Sequence, residues 1–327
     1  MSYRELILDL PKQFSWQPKM SGEHIRPKPR GLFVGHLFSS GFKRIVIAGM
    51  GGSRLAPDIL KMHWPRKNIH IHSDYGLPDL GEGVLRDALV IANSYSGNTG
   101  ETVSAAREAV SKDYTLAVVA SGGELIKMAE ENQLPHIIIP GGDIPSRLAV
   151  GYDLVALMAL VGAEGGEMAA CAGIDAAKLE SRGQELAEHL SGGIPLIYAP
   201  ESKKELGYAW KVILNETAKV PAFFNRFPEL NHNEMAGFLD SKQLLTSFRC
   251  LILDDGDERL AKGIDKISEL YNQKGISVTR VPLVQGAPLL AVVSSVILAH
   301  WTALALAEKA GVDPISTPSI EEFKKSL

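Results

Sequence analysis

The sequence predicts an α/β protein with two domains of similar size, each a parallel sheet covered by helices on both faces. Short runs of Val, Ile, Leu and Ala, of strand length and without polar alternation, recur from residue 43 onward. Strands that read this way are buried on both faces, the usual condition of a parallel strand. Helix-length segments separate them, as parallel crossovers require. The pattern restarts near Pro195, and 327 residues suit about two domains.

In chain order, strands are expected at 44–48, 69–73, 88–92, 116–120 and 136–140, with helical patterns after most of them. Helical sequence at 146–160 and 176–190 joins the halves. The second set has strands at 196–199, 250–253 and 278–284, with a helix at about 203–219 leading into an aromatic loop, Phe223 to Pro228. The expected organisation is an N-terminal extension over 1–40, a first domain over 41–165, a second over 166–310 and a tail over 311–327. The apolar stretch from Ala287 to Ala307 is broken by Ser294, Ser295, His300 and Thr302, so it reads as a buried helix rather than a membrane span.

Composition excludes several classes. A hydrophobic content of 45% with 22% charged residues is that of a folded globular chain, not a disordered one. With 34 basic and 38 acidic side chains the net charge is −4, which argues against a general nucleic-acid or membrane binder. Cys171 and Cys250 stand in unrelated contexts, without zinc spacing or a disulfide framework, and Met1 to Glu5 lacks the apolar core of a signal peptide. A reducing cytoplasm is the expected home. His70 and His72 alternate on one strand without a third ligand at useful spacing, so no metal is expected.

The first chemical signal is Ser94-Tyr95-Ser96-Gly97-Asn98-Thr99-Gly100-Glu101-Thr102, which follows a buried strand and opens a helix. Three hydroxyls, flexible glycines and the free N–H groups of a helix start suit a phosphate. The plain alternative is an N-cap by Thr99, but a cap needs one hydroxyl, not Ser94, Ser96 and Thr99 together. The other turn, Gly49-Met50-Gly51-Gly52-Ser53, is close to a dinucleotide fingerprint, with Asp74 beyond the next strand. Arg54 stands where the last glycine would be, which weighs against a nicotinamide-dependent dehydrogenase. No Gly-Lys-Ser/Thr occurs, which excludes a Walker A site.

A GGS turn, then S-x-S-G-x-T-x-E-T after a strand, then Ser121-Gly122-Gly123-Glu124-Leu125 after another, resembles a sugar isomerase (SIS) domain. The wider pattern, from Gly49 to Lys324, resembles the bifunctional phosphoglucose/phosphomannose isomerases, a family built from two flavodoxin-like SIS domains. The resemblance implies that Gly52, Ser53, Ser94, Ser96 and Thr99 hold a sugar phosphate. Arg54 departs from the family's glycine after the GGS serine.

Interconverting an aldose and a ketose phosphate moves a proton between C1 and C2, which calls for a carboxylate and a positive charge beside the enediolate. It also calls for an acid–base group at the ring oxygen. Asn215-Glu216-Thr217-Ala218-Lys219-Val220-Pro221-Ala222 matches the family's N-E-x-A-K-x-P-A motif, which makes Glu216 the implied base; alone it would read as a solvated helix-end Glu. Pro228-Glu229-Leu230-Asn231-His232-Asn233 matches P-E-x-x-H-N. That makes His232 the implied ring-opening residue, given across a homodimer interface; alone it would equally be a surface-loop histidine. Pro145-Ser146-Arg147-Leu148-Ala149-Val150-Gly151-Tyr152 matches P-x-R-x-A-x-G-Y and implies Arg147 as the enediolate stabiliser. The tail, Thr317 to Lys325, resembles the family's I-x-x-L-K terminus with Phe323 at the Leu place. It implies Lys324, rather than Lys325, as helper in ring opening, and Thr317 as the residue that gives the C2 epimers room.

The expected function is thus a metal-independent isomerase of glucose-6-phosphate and fructose-6-phosphate, extending to mannose-6-phosphate, with no cofactor. The rival is a non-catalytic SIS-type sensor of a phosphosugar. Such sensors add a DNA-binding helix pair that residues 1–40 do not offer, and they have no use for Glu216, His232 and Arg147 together.

Overall fold

The computed structural model describes residues 1–22, 42, 44–162, 166–239 and 242–325. The chain forms two compact units, Asp9–Gly173 and Met1–Leu8 with Ile174–Leu327. Most of the expected N-terminal extension, from residue 23, lies outside the described residues. Its first part is integral to the fold: the Tyr3–Asp9 helix buries Tyr3, Leu6 and Ile7, and the following 3-10 turn, Leu10–Ser15, buries Leu10 and Phe14.

In Asp9–Gly173, six strands form one sheet: β1 (Met20–Ser21), β2 (Arg44–Ala48), β3 (Ile69–His72), β4 (Ala88–Asn93), β5 (Leu116–Ala120) and β6 (His136–Ile138). Their order is β1-β6-β5-β4-β2-β3, parallel except for β1, a short antiparallel edge strand absent from the sequence reading. Every residue of β4 and β5 is buried, which accounts for their unbroken apolar runs. Val46, Val90 and Val118 face a cluster with Val103, Ala106, Leu125 and Ala129 from the helices Gly100–Ser111 and Gly123–Glu131. Each large aliphatic side chain buried there contributes roughly 1.5–3 kcal/mol.

The second sheet has β7 (Ile194–Pro200), β8 (Phe223–Phe227), β9 (Phe248–Asp254) and β10 (Ser277–Pro282), all parallel, in the order β10-β9-β7-β8. The segment expected to be an aromatic loop is therefore β8. It is an edge strand, paired on one side to β7, so its burial is partial and its sequence keeps Asn225 and Arg226. The Glu258–Gln273 helix buries Ile264, Ile267 and Tyr271 at helical spacing, and the Asp257 side chain caps it by accepting from Arg259 N–H.

The apolar segment near the C-terminus forms the Pro288–Ala310 helix, long and apolar enough to cross a membrane by length and composition. Of its most apolar window, 89% is buried inside the protein, as the sequence reading expects of a core helix. Trp210 Nε1 donates to Ser295 Oγ (3.0 Å) and Trp301 Nε1 to the Ala176 carbonyl (2.8 Å). The helix Glu180–Leu190 packs against it so closely that a Cβ at Gly183 would lie 2.4 Å from Trp301 Cβ and 2.9 Å from its carbonyl carbon. A Gly183→Ala protein is expected to lose about 1–3 kcal/mol of stability, because backbone and a buried indole must shift. Urea unfolding of the two proteins checks this; an unchanged midpoint would contradict the close packing.

Candidate active site

Leaving β1 aside, the first sheet runs β3-β2-β4-β5-β6, the 2-1-3-4-5 order of a flavodoxin-like fold. From β2 the chain goes to β3 on one side and returns to β4 on the other, so the loops after β2 and β4 diverge and leave a crevice at their C-terminal ends. Ligands of open α/β sheets bind at that point. The two loops are the Gly49–Ser53 turn and the Ser94–Thr99 loop.

The loops are tied to each other residue by residue. Ser53 is buried; its Oγ accepts from Tyr95 N–H (2.8 Å) and its carbonyl accepts from Asn93 Nδ2 (2.6 Å). Ser94 and Thr99 share a hydroxyl hydrogen bond at 2.8 Å, and Ser94 Oγ also accepts from Gly97 N–H (3.2 Å). Thr99 does stand at the N-cap of the Gly100–Ser111 helix, yet its side chain makes no capping bond. The cap alternative thus loses its defining interaction, while the hydroxyls stay gathered beside a helix start. Ser96 is exposed, and its Oγ accepts from Asn98 N–H (3.3 Å).

A third turn supports the second. Ser121 donates to the Tyr95 carbonyl from its Oγ (2.6 Å) and its N–H (2.9 Å), and Glu124 N–H donates to Asn98 Oδ1 (2.9 Å). Gly97, at φ +70, sits where a Cβ would lie 1.9 Å from the Gly122 carbonyl oxygen, so only glycine fits. Arg54 is accommodated sideways: its Nε donates to Asp58 Oδ2 (3.0 Å) and its guanidinium reaches Ser73 Oγ (3.4 Å).

Arg147 lies in the single turn Ser146–Leu148, buried at 2% exposure. This turn packs on the GGS turn: a Cβ at Gly52 would lie 2.3 Å from Ser146 Oγ and 2.8 Å from Arg147 N. Gly52, Ser53, Ser94, Thr99 and Arg147 therefore belong to one cluster of contacting turns. Asn93 and Asp153, which sequence reasoning passed over, join it. Asn93 Nδ2 also donates to Asp153 Oδ2 (2.9 Å), and burial pushes the Asp153 carboxyl up to about 7 against the Asn93 hydrogen bond. The signals were a polar residue closing an apolar strand and a carboxylate in the otherwise apolar Val150–Leu160 helix.

The second sheet shows the same order one strand shorter, and its switch point lies between β7 and β9. There Ser202 Oγ donates to Asp255 Oδ2 (2.9 Å), with Asp254 and Asp257 alongside in sequence. That sign of charge does not suit a phosphate. Its predicted residues lie elsewhere. The Lys204–Ile213 helix continues into a π-helical turn, Leu214–Ala218, that carries partly exposed Glu216. Asn215 Oδ1 accepts from Ala222 N–H (2.8 Å), which sets this turn at the start of β8. Thr217, fully buried, shares a hydrogen bond with Tyr3 OH (2.7 Å), which also meets His300 Nδ1 (2.8 Å).

Lys219 Nζ donates to the Glu216 carbonyl and to the Ser316 carbonyl (2.6 Å), which brings the Glu216 turn to the segment of Thr317. Thr317 is partly buried and its carbonyl starts the Pro318–Lys325 helix by accepting from Ile320 and Glu321 N–H (3.0 Å each). Lys324 is in that helix; its side chain lies outside the described residues. His232 ends the short turn Glu229–His232 after β8 and is exposed. Glu216 and His232 thus sit at opposite ends of β8, whose five residues span about 13 Å. Beside His232, Glu234 accepts from Tyr198 OH and Asn225 Nδ2, contacts the sequence reading did not foresee.

His70 and His72 stack with ring centroids 6.4 Å apart, and among the described residues no group of three or more His, Cys, Asp or Glu could hold a metal ion. Cys171 and Cys250 are both buried and free.

Comparisons with known proteins point to one family. The family "Bacterial phospho-glucose isomerase C-terminal SIS domain" matches residues 179–327. The chain is 32% identical to the bifunctional phosphoglucose/phosphomannose isomerase of Thermoplasma acidophilum over 96% of this chain and 97% of that one. It is also 32% identical to the enzyme of that name from Aquifex aeolicus, over 88% of this chain and 91% of the other. A glucose-6-phosphate isomerase-like protein from Thermus thermophilus has a similar fold at 18% identity, with a TM-score of 0.60 over 100% of this chain and 96% of that one. With this similarity carried along nearly its whole length, the chain belongs to the bifunctional phosphoglucose/phosphomannose isomerase family.

Proposed function

We propose that the protein is a sugar-phosphate isomerase that interconverts glucose-6-phosphate and fructose-6-phosphate and also takes mannose-6-phosphate. The observation that carries this reading is the gathering of Ser53, Ser94 and Thr99 beside a helix start, at the switch point of a flavodoxin-like sheet. Hydroxyls and backbone N–H groups suit a phosphate dianion, and Gly52 and exposed Ser96 complete the proposed grip.

Glu216 is assigned the proton transfer. Its carboxylate takes the proton from C2 of the open-chain aldose, the C–H electron pair forms the C1–C2 double bond, and O1 gains the negative charge. The Arg147 guanidinium stabilises that enediolate; the O2 hydroxyl proton passes to O1, and return of the carbon-bound proton from Glu216 to C1 leaves the ketose with its carbonyl at C2. C2 is planar in the intermediate, so glucose and mannose epimers reach the same ketose; Thr317 is assigned to admitting both. His232, helped by Lys324, moves the proton on and off the ring oxygen. Each proton removed is returned, so the chemistry asks for no redox cofactor. A sensor would need the loops but not these side chains.

His232 is assigned to the site of the neighbouring subunit in a homodimer. The separation of Glu216 and His232 across β8 supports this, since one chain presents them at opposite strand ends. The reading carries with it a cytoplasmic setting and a place in glycolysis or gluconeogenesis; the two buried free cysteines suit a reducing compartment.

Two outcomes check the assignment. Glu216→Gln is expected to lower kcat from fructose-6-phosphate by about 100-fold or more while leaving the fold intact, read through a coupled dehydrogenase; turnover at the unmutated rate would remove Glu216 from the mechanism. Co-expressing inactive Glu216→Gln and His232→Ala chains is expected to restore about a quarter of wild-type activity, because half the dimers are mixed and each has one intact shared site. If both residues serve the site of their own chain, mixing restores none.

A further inference from the structure

We propose that Asp153 is a positioning residue for the phosphate grip, acting through Asn93 to hold the GGS turn in register with the Ser94–Thr99 loop. The proposal rests on the reading of these loops as a phosphate site. Asn93 ends β4, immediately before Ser94, and its side-chain amide has two protons. One goes to Asp153 Oδ2 at 2.9 Å and the other to the Ser53 carbonyl at 2.6 Å. With one proton anchored on a carboxylate, the plane of the amide is fixed, and the second proton has a set direction. Ser53 is thereby held at its carbonyl by residue 93 and at its Oγ by residue 95, the two residues that flank Ser94. Gly49 lets this happen, since a Cβ there would lie 3.1 Å from both the Asn93 and Ser53 carbonyl oxygens.

Stability alone does not account for the carboxylate. Asp153 is 6% exposed, and its Oδ1 is buried with no hydrogen-bond partner among the described residues. A carboxylate buried with half its acceptors unused costs free energy that an apolar side chain of similar size would not. The Val150–Leu160 helix is otherwise apolar on its buried positions, with Leu154, Val155 and Leu157 following. The Asp153 side chain spends its one described bond on the amide that holds Ser53. That connection gives a function to an otherwise unfavourable burial.

The test is Asp153→Leu, which removes the anchor without leaving a buried charge unpaired. Thermal unfolding is expected to show a folded protein of about wild-type stability, because removing the buried carboxyl offsets the Asn93 N–H left without an acceptor. Its KM for fructose-6-phosphate and its Kd for inorganic phosphate are expected to rise about tenfold, with kcat changing by less than about threefold. Asp153→Asn, which keeps an oxygen toward Asn93, is expected to recover most of the affinity. Asn93→Ala breaks the same bridge from its centre, keeps the test open should the leucine variant not fold, and is expected to weaken affinity to the same degree. Combining Asn93→Ala with either Asp153 variant should weaken it no further. If wild-type protein binds phosphate and both single variants bind it equally well, Asp153 is not a positioning residue. If wild-type protein binds neither phosphate nor the sugar phosphate, the phosphate reading of the loops fails first and this proposal with it.

Discussion

Parallel pairing of β2 with β4, in register from Arg44 and Ala88 to Ala48 and Ala92, is the constraint on which the candidate phosphate site depends. It ends two strands side by side, so the turns that follow emerge next to each other, and β3 draws the chain after the first turn away. The apolar content of the strands serves this geometry indirectly. β4 is buried on both faces, so its apolar pattern alone does not set register; a slip by one residue is opposed by the loss of the Asn93 hydrogen bonds. The observed register sets Asn93 and Tyr95 opposite Ser53.

The two sheets share a strand order but not a chemistry. At the switch point of the first sheet the groups are hydroxyls, an amide, backbone N–H groups and a buried arginine, with the one carboxyl, Asp153, turned to the Asn93 amide. At that of the second sheet a serine is bonded to a carboxylate, in a loop with two more aspartates. The first arrangement suits an anion better than the second. The proposed roles divide accordingly: the phosphate grip is assigned to turns of the first sheet, while Glu216 and His232 lie on the turns around β8 of the second.

How much of this was legible in the sequence follows from burial and locality. The strands buried on both faces were plain, because their residues are nearly all apolar; β4 and β5 differ from expectation by at most one residue. Edge strand β8 was not, because one open side tolerates Asn225 and Arg226 and makes the segment look like a loop. The antiparallel pair Met20–Ser21 is too short and exposed to leave any pattern. Among site residues, those in short motifs could be found from their neighbours in sequence. Asn93 and Asp153 are 60 positions apart and meet only in the folded chain, so local pattern shows two isolated polar residues and no more.

The Glu216 turn shows why local preference alone cannot prepare such a site. A π-helical turn is rarely chosen by a peptide on its own, and this one ends at Lys219 in the left-handed region, φ 57° and ψ 29°, a conformation disfavoured for a residue with a Cβ. Three sets of contacts hold it there. Tyr3 reaches Thr217 from the chain's first helix, Asn215 takes the N–H of Ala222, and Lys219 bridges the Glu216 and Ser316 carbonyls. Each contact comes from a different part of the unit, and none of them uses the Glu216 carboxylate. The backbone that carries this side chain is therefore set by its neighbours, and Glu216 itself is partly exposed. The proton transfer proposed for Glu216 calls for a fixed position of this kind, which an isolated helix end does not supply.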